Sequence, residues 1–298
     1  MWQIINMLLE QIVTSIKQIL IQGKNYSDKV KFQQIGGGSI NNTYRIDFQS
    51  DSYFCKINSA TKFPQLFEKE CHGLQLIKNQ GIIKVPEILH CFQSFDHQVL
   101  ILEWIPQGNR DANFWERFGQ QLATLHQIKN EYFGLSESNY MGSVVQLNEP
   151  SLIWEVFFYE KRLKPIISRC FDNGGLTAKH LAKFDRLFLK LPEIFNDNQI
   201  PVLVHGDLWS GNFMCNNVSD PVLIDPAVTY SHPSVDLGMS TLFGGFDQRF
   251  YKAYQYYNPF PSNYKEQWEV SNLYPLLIHL FLFGSSYLGQ IEQTLHKY

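Results

Sequence analysis

Two short apolar runs, Val202-Leu203-Val204 and Val222-Leu223-Ile224, each lead into a polar segment that carries an acid, and together they restrict the fold more than any other feature of the chain. The first opens onto His205-Gly206-Asp207-Leu208-Trp209-Ser210-Gly211-Asn212, which sets a carboxylate and an amide five residues apart on the loop after a strand. The second closes on Asp225-Pro226, with Asp225 eighteen residues beyond Asp207. Short β-branched runs bounded by Gly, Asp and Pro read as strands, so both acids belong to loops held at strand ends.

The rest of the chain divides into two kinds of pattern. Lys31 to Ile35, Thr43 to Phe48 and Tyr53 to Ile57 read as short strands, the first two separated by Gly36-Gly37-Gly38. The spacing of Phe67, Cys71, Leu74 and Ile77 predicts a helix that stops near Gly81, and Gln98 to Trp104 reads as a further strand. Beyond Pro106-Gln107-Gly108 the pattern turns mostly helical, over Trp115 to Ile128, Leu152 to Ser168 and Ala178 to Leu189. The expected fold class is therefore α+β, with an N-terminal lobe over 1–103 built on an antiparallel sheet and a larger, mainly helical lobe over 104–298. Ile5, Leu8, Leu9, Ile12, Ile16 and Leu20 form an amphipathic face on the opening helix, which needs a surface to pack on.

Composition narrows the function classes. The 25 Lys and Arg against 28 Asp and Glu leave a net charge of −3, without the concentrated basic surface that a nucleic-acid binder needs. The five cysteines are scattered and never in a C-x-x-C pair, which argues against a disulfide framework or a zinc cage. Glu10 and Lys17 interrupt the opening helix, and the apolar run from Tyr274 to Phe283 is too short to span a bilayer. A buried helix at that run, no membrane or nucleic-acid partner, and a cytoplasmic location are the expectations.

Phosphoryl transfer from a nucleotide needs a carboxylate to take a hydroxyl proton and oxygen ligands for Mg²⁺. Asp207 suits the first role, and Asn212 and Asp225 the second. The protein-kinase signature H-R-D-x-x-x-x-N followed by D-F-G has the same order and the same base-to-amide interval. Here Gly206 stands in place of the arginine, and Asp225-Pro226-Ala227 in place of D-F-G. Turn capping by Asp207 and Asn212 is the plainer alternative, but the upstream residues favour catalysis. Gly36, Gly37, Gly38 and Ser39 lie between two strands, where backbone N–H groups can approach a phosphate closely. Lys56 stands among apolar neighbours in the third strand and pairs with a helix glutamate, Glu70 before Glu68, to hold the α/β-phosphates. Glu103, Trp104 and Ile105 fall where the lobes join and are candidates for the adenine site. Trp209, two residues after the base, is a candidate wall of the acceptor site. His205 reads as structural and Asp236 as a brace of the loop through backbone bonds. His232 reads as a loop histidine, and Phe243 as core.

With these residues assembled, the chain resembles the fructosamine kinase (ketosamine-3-kinase) family, part of the aminoglycoside phosphotransferase and choline kinase group with its bilobal protein-kinase-like fold. The resemblance covers nearly the whole chain. It includes Gly36 to Ile40, Phe54-x-Lys56, Phe67-Glu68-x-Glu70, Glu103-Trp104, His205 to Asn212 and Asp225-Pro226-Ala227. It continues through Asp236-Leu237-Gly238-Met239, Leu242 to Phe246 and the stretch from Tyr274 to Gly289. The resemblance implies ATP- and Mg²⁺-dependent phosphorylation of the O3 hydroxyl of a small-molecule or protein-bound ketosamine, as a deglycation repair step. The alternatives are a kinase for a choline- or aminoglycoside-type amine, and a non-catalytic nucleotide-binding module. Many bacterial members carry an Arg-Glu pair where this chain has Pro233-Ser234, so the preferred sugar is open. Ser39 replaces a cysteine that makes a redox-sensitive dimer in some members, and no such switch is expected here.

Overall fold

The computed structural model describes residues 2–21, 30–36, 40–197 and 200–298. The chain divides into two compact units, Met1–Leu74 with Pro86–Pro106, and Gln75–Val85 with Gln107–Tyr298.

The smaller unit is built on one antiparallel sheet of five strands in the order β1-β2-β3-β5-β4. These are β1 (Lys31–Ile35), β2 (Asn42–Phe48), β3 (Asp51–Ser59), β4 (Ile88–Ser94) and β5 (His97–Glu103). The sequence expectation for β1, β2, β3 and β5 holds to within two residues at each end. The edge strand β4 was not expected, because its side chains are mostly exposed and Ile-Leu-His-Cys-Phe-Gln-Ser shows no clean alternation. One face of the sheet takes the opening helix α1 (Trp2–Ile21): Ile12, Ile16 and Leu20 pack with Ile46, Phe48, Cys55, Ile57, Val99 and Ile101. This is the surface that the amphipathic pattern required. Helix α2 (Leu66–Lys78) starts in this unit, pinned by Gln98 of β5. Gln98 Oε1 accepts from the N–H of Phe67 at 3.0 Å, while its Nε2 donates to the carbonyls of Ser59 and Phe63. The end of α2 and the segment after it belong to the larger unit, where Leu223 N–H donates to Lys84 O at 2.9 Å.

The larger unit holds α3 (Phe114–Leu125), the hairpin β6 (Asn139–Met141) and β7 (Val144–Gln146), α4 (Trp154–Phe157), α5 (Lys164–Asp172) and α6 (Ala178–Ile194). Then come β8 (Val202–Val204), β9 (Phe213–Cys215), β10 (Pro221–Leu223) and β11 (Thr229–Ser231), followed by α7 (Ser234–Leu242) and α8 (Gln248–Tyr257). The chain closes with α9 (Tyr264–Ser271), α10 (Leu273–Phe283) and α11 (Leu288–Leu295). The helix expected over Leu152 to Ser168 is divided by a π-helical turn over Phe158–Leu163. Pro165 has no N–H to give to Lys161 O, and the guanidinium of Arg162 donates to that carbonyl instead, at 3.2 Å. Arg162 is a buried cation, and desolvation lowers its pKa to about 10. Helix α10 is the expected buried helix, with Leu273 to Ile278 and Leu280 in the core. Among the described residues, no helix is long and apolar enough to cross a membrane.

Helices α3 and α8 pack through rings, with Phe118 against Phe250 at 5.1 Å and against Phe213 at 5.0 Å. Gly119 permits that approach, because a Cβ there would lie 2.2 Å from Phe250 O. Gly119→Ala is therefore expected to destabilise the protein by at least about 2 kcal/mol in chemical denaturation, as for other overpacked cores. Gly289→Ala in α11, where a Cβ meets nothing within 4 Å, is expected to stabilise it by about 0.5 kcal/mol.

Candidate active site

In the smaller unit, Lys56 lies in β3 between the buried side chains of Cys55 and Ile57 and is only 2% exposed. Its ammonium meets Glu70 Oε1 of α2 at 2.7 Å. A buried ammonium without a carboxylate costs several kcal/mol, so the pair holds strand and helix in one arrangement. Glu70 rather than Glu68 is the partner. Of the glycine loop, Gly36 is exposed at the end of β1, and a Cβ on it would meet nothing within 4 Å. Gly37, Gly38 and Ser39 lie outside the described residues. Asn58 Nδ2 ties the far side of the loop through Asn41 Oδ1 at 2.6 Å. At the end of β5, Glu103 N–H donates to Glu87 O at 2.8 Å, so it is already used within the sheet. Arg45 lies over the Trp104 ring at 4.7 Å, and Ile105 is buried.

In the larger unit, β8 pairs with β11 and β9 with β10, both antiparallel. The loop between β8 and β9 carries Asp207 and Asn212, and the loop between β10 and β11 carries Asp225. The two loops are laced together by backbone: Ile224 N–H donates to Asn212 O at 3.0 Å, and Ala227 N–H to His205 O at 2.9 Å. Gly206, at φ 86°, makes this clasp possible, since a Cβ there would lie 2.1 Å from Ala227 O. Asn212 Nδ2 donates both to Asp207 Oδ2 and to Asp207 O, each at 2.9 Å. This orients the carboxylate and leaves the amide oxygen of Asn212 available as a metal ligand. Asp225 is exposed and sits in the left-handed region at φ 55°, a conformation that aspartate tolerates better than most residues with a Cβ.

Desolvation pushes the pKa of Asp207 up to about 7. The Asn212 hydrogen bond opposes that shift, and the neighbouring Asp225 and Asp236 charges add to it. Among the described residues, no three His, Cys, Asp or Glu side chains gather as a metal cage. Asn212 and Asp225, on adjacent loops, are the residues whose side-chain oxygens could hold a magnesium ion, which usually keeps phosphate and water among its ligands.

Asp236 in α7 is fully buried and braces the loop from behind. Its Oδ2 accepts from His205 N–H at 2.7 Å, and its Oδ1 from Gly206 N–H at 2.8 Å. His126 Nε2 meets Oδ2 at 3.1 Å, and His126 Nδ1 lies 2.8 Å from Tyr254 Oη. Burial alone would raise the Asp236 pKa, but the hydrogen bond to His126, together with the Gly206 N–H, holds it below the ordinary carboxylate range. His205 is itself held neutral by desolvation. Its Nδ1 accepts from Asp207 N–H at 3.3 Å, and its Nε2–H donates to Ile224 O at 2.9 Å. It thus ties Asp207 to the second loop, a structural role. His126 and Tyr254 were not expected at the site. Neither stands in a motif, and only the packing of α3 and α8 brings them beneath it. His232 lies in the loop between β11 and α7, as expected, and is buried there, with its ring tilted against Trp154 at 5.7 Å and edge-on to Phe195 at 5.2 Å.

The sequence matches the profile of the fructosamine kinase family over residues 10–298. A protein of Enterococcus faecium named "Probable ketoamine kinase" is 35% identical over 263 residues, which is 88% of this chain and 93% of its own. The chloroplastic protein-ribulosamine 3-kinase of Arabidopsis thaliana is 33% identical over 284 residues, covering 94% of this chain and 86% of the plant protein. A solved structure from Haemophilus somnus, provisionally designated a fructosamine-3-kinase, superposes with a TM-score of 0.88 at 24% identity, covering 98% of this chain and 99% of the other. The choline kinase LicA of Streptococcus pneumoniae superposes at 0.63 with 14% identity, over 97% of this chain and 99% of its own. At those identities the structural likeness is one of fold, and the fold is the protein-kinase-like one.

The electrostatics of Asp207 carry a stability prediction for the protein without nucleotide or metal. A carboxyl whose folded pKa of about 7 exceeds its ordinary 3.8 binds a proton more tightly folded than unfolded, so stability falls as pH rises between those values. Asp207→Asn removes the penalty. Its melting temperature is expected to exceed the parent's at about pH 8, by the equivalent of about 2 kcal/mol once screening of a part-exposed group is allowed for. The two proteins should converge near pH 4. A difference independent of pH would show that the Asp207 carboxyl carries no such penalty.

Proposed function

The chain belongs to the fructosamine kinase family, and on that premise we propose that it transfers the γ-phosphoryl group of ATP to the O3 hydroxyl of a ketosamine. The observation that carries this reading is the Asp207 carboxylate, with Oδ2 held by Asn212 and Oδ1 without a partner among the described residues. Oδ1 is the atom that takes the O3 proton. The raised pKa makes it a stronger base than an ordinary aspartate, and Asn212 keeps it from rotating away. Asn212 Oδ1 and Asp225 are assigned to Mg²⁺, which when bound neutralises charge on the phosphates. Binding of ATP by the smaller unit rests on Lys56, whose ammonium is assigned to the α/β-phosphates with Glu70 holding its position. Gly36, Gly37, Gly38 and Ser39 are assigned to the phosphates as well, and Glu103, Trp104 and Ile105 to adenine. Residues 1–103 then serve as the nucleotide-binding lobe and 104–298 as the catalytic and substrate-binding lobe.

The phosphorylated ketosamine is unstable and releases the free amine, so the role is deglycation repair. Choline and aminoglycosides are the less favoured acceptors, because the ketoamine and ribulosamine kinases named above align over most of this chain. The acceptor is free or protein-bound, and the work is placed in a reducing cytoplasm, consistent with the five unpaired cysteines.

Incubation with Mg-ATP and lysine adducts of ribulose, erythrulose and fructose, followed by mass spectrometry, is expected to show one added phosphate on at least one adduct. No product from any of them would end the proposal. Asp207→Asn is expected to lower kcat by about 10²–10⁴-fold while Mg-ATP still stabilises the protein in a thermal shift. Lys56→Met is expected to raise the KM for ATP at least tenfold, a loss of charge-assisted phosphate contact.

A further inference from the structure

Phe243 lies in an apolar stretch and is expected in the core, yet 37% of it is exposed. Its ring meets Trp209 edge-on at 5.7 Å on one side and His279 at 5.1 Å on the other. His279 in turn contacts Phe283 at 5.4 Å and Tyr287 at 4.9 Å. Five rings therefore form one continuous strip that begins two residues after Asp207 and continues along the larger unit. Phe283 is 48% exposed, and Trp209, His279 and Tyr287 are half-buried. The segment that carries Phe243 also packs tightly on Ser210, the residue after Trp209. Gly245, at φ 93°, lies so close to Ser210 that a Cβ would fall 2.5 Å from the serine Cβ.

The chemistry of this surface is specific. No charged side chain is among its five members. His279 Nδ1–H donates to Pro275 O at 2.7 Å, so the neutral ring presents a lone pair on Nε2, which has no partner among the described residues. Burial lowers the His279 pKa, which favours that neutral form. Aromatic faces pack against methylene groups and attract cations, and the acceptor nitrogen suits an N–H donor. Nothing in the strip receives a carboxylate. A ketosamine has two ends, a sugar that must reach Asp207 and an amine-derived arm that must leave the site somewhere. The strip starts with Trp209, two residues after the base in the chain, and runs on from there as a continuous aromatic surface.

We propose that the strip of Trp209, Phe243, His279, Phe283 and Tyr287 receives the amine-derived arm of the acceptor and selects arms with an aliphatic stem and a cationic end over short or anionic ones. This rests on the ketosamine kinase reading and deepens it. The test uses ribulosamines that share one sugar and differ in the amine: lysine α-amide joined through its ε-nitrogen (the lysine arm, which ends in an ammonium and no carboxylate), butylamine, methylamine and 4-aminobutyrate. The full-length protein is expected to prefer the lysine arm over the methylamine and 4-aminobutyrate arms by about tenfold or more in kcat/KM, the scale on which a few buried methylenes and a cation–π contact discriminate. Phe243→Ala and Phe283→Ala are each expected to cut the lysine-to-methylamine ratio about fivefold, through KM more than kcat. Phe283 is exposed enough that its variant separates lost binding from lost folding. His279→Gln, which keeps an acceptor, should retain more of the ratio than His279→Ala. If the parent protein phosphorylates every arm alike, or the ratio stays within about twofold in both phenylalanine variants, the assignment of the strip is overturned while the kinase reading stands. If no ketosamine is phosphorylated at all, both fall.

Discussion

A single buried carboxylate organises the larger unit. Asp236 has no exposed surface and accepts hydrogen bonds from the backbone of His205 and Gly206 while His126 meets the same group from the side. A carboxylate in such a place is tolerable only when its lone pairs are taken up, so α3, α7 and the β8–β9 loop are compelled to meet at one point. The loop that carries Asp207 is held from behind by a charge that cannot move without leaving those N–H groups unsatisfied. Tyr254 extends the arrangement into α8. If Asp207 is the general base proposed above, the stiffness it needs comes from Asp236, a residue set behind its loop.

The two acids of this region illustrate opposite outcomes of burial. Asp236 is surrounded by donors and held below the ordinary carboxylate range, whereas Asp207 has one amide donor, two acidic neighbours and a pKa pushed up to about 7. The first arrangement stabilises the fold, and the second destabilises it in the absence of ligand. Under the proposed function, Mg²⁺ and a substrate hydroxyl would offset the charge that burial makes costly on Asp207.

Much of this was legible from local sequence. Lys56 stood out because a lysine between Cys55 and Ile57 is costly in a strand without a partner, and Glu70 lay at the right place on the next helix. Asp207 and Asn212 stood out because their interval matches a chemical need. Other features were not legible because they depend on packing. His126 closes α3 with no motif around it, and its place under Asp236 follows from the ring contacts that seat α3 on α8. Gln98 reads as an ordinary polar residue in a strand, although it anchors the start of α2. The π-helical turn at Phe158–Leu163 was hidden because hydrophobic periodicity runs on through Pro165. Phe243 misled because apolar neighbours imply burial, whereas its ring lies at the edge of the core.

What the sequence alone determined is the set of reactive groups and the order of strands and helices that carries them, since periodicity, turn residues and motif spacing are local properties of the chain. The tertiary structure decided which of those groups share a hydrogen bond. Asn212 orients Asp207, His205 links Asp207 to Ile224, and Asp236 holds the loop from a helix some thirty residues away. The pKa of each acid followed from that, because ionisation depends on the donors, charges and water that surround a carboxyl, and these are assembled only when distant segments fold against one another.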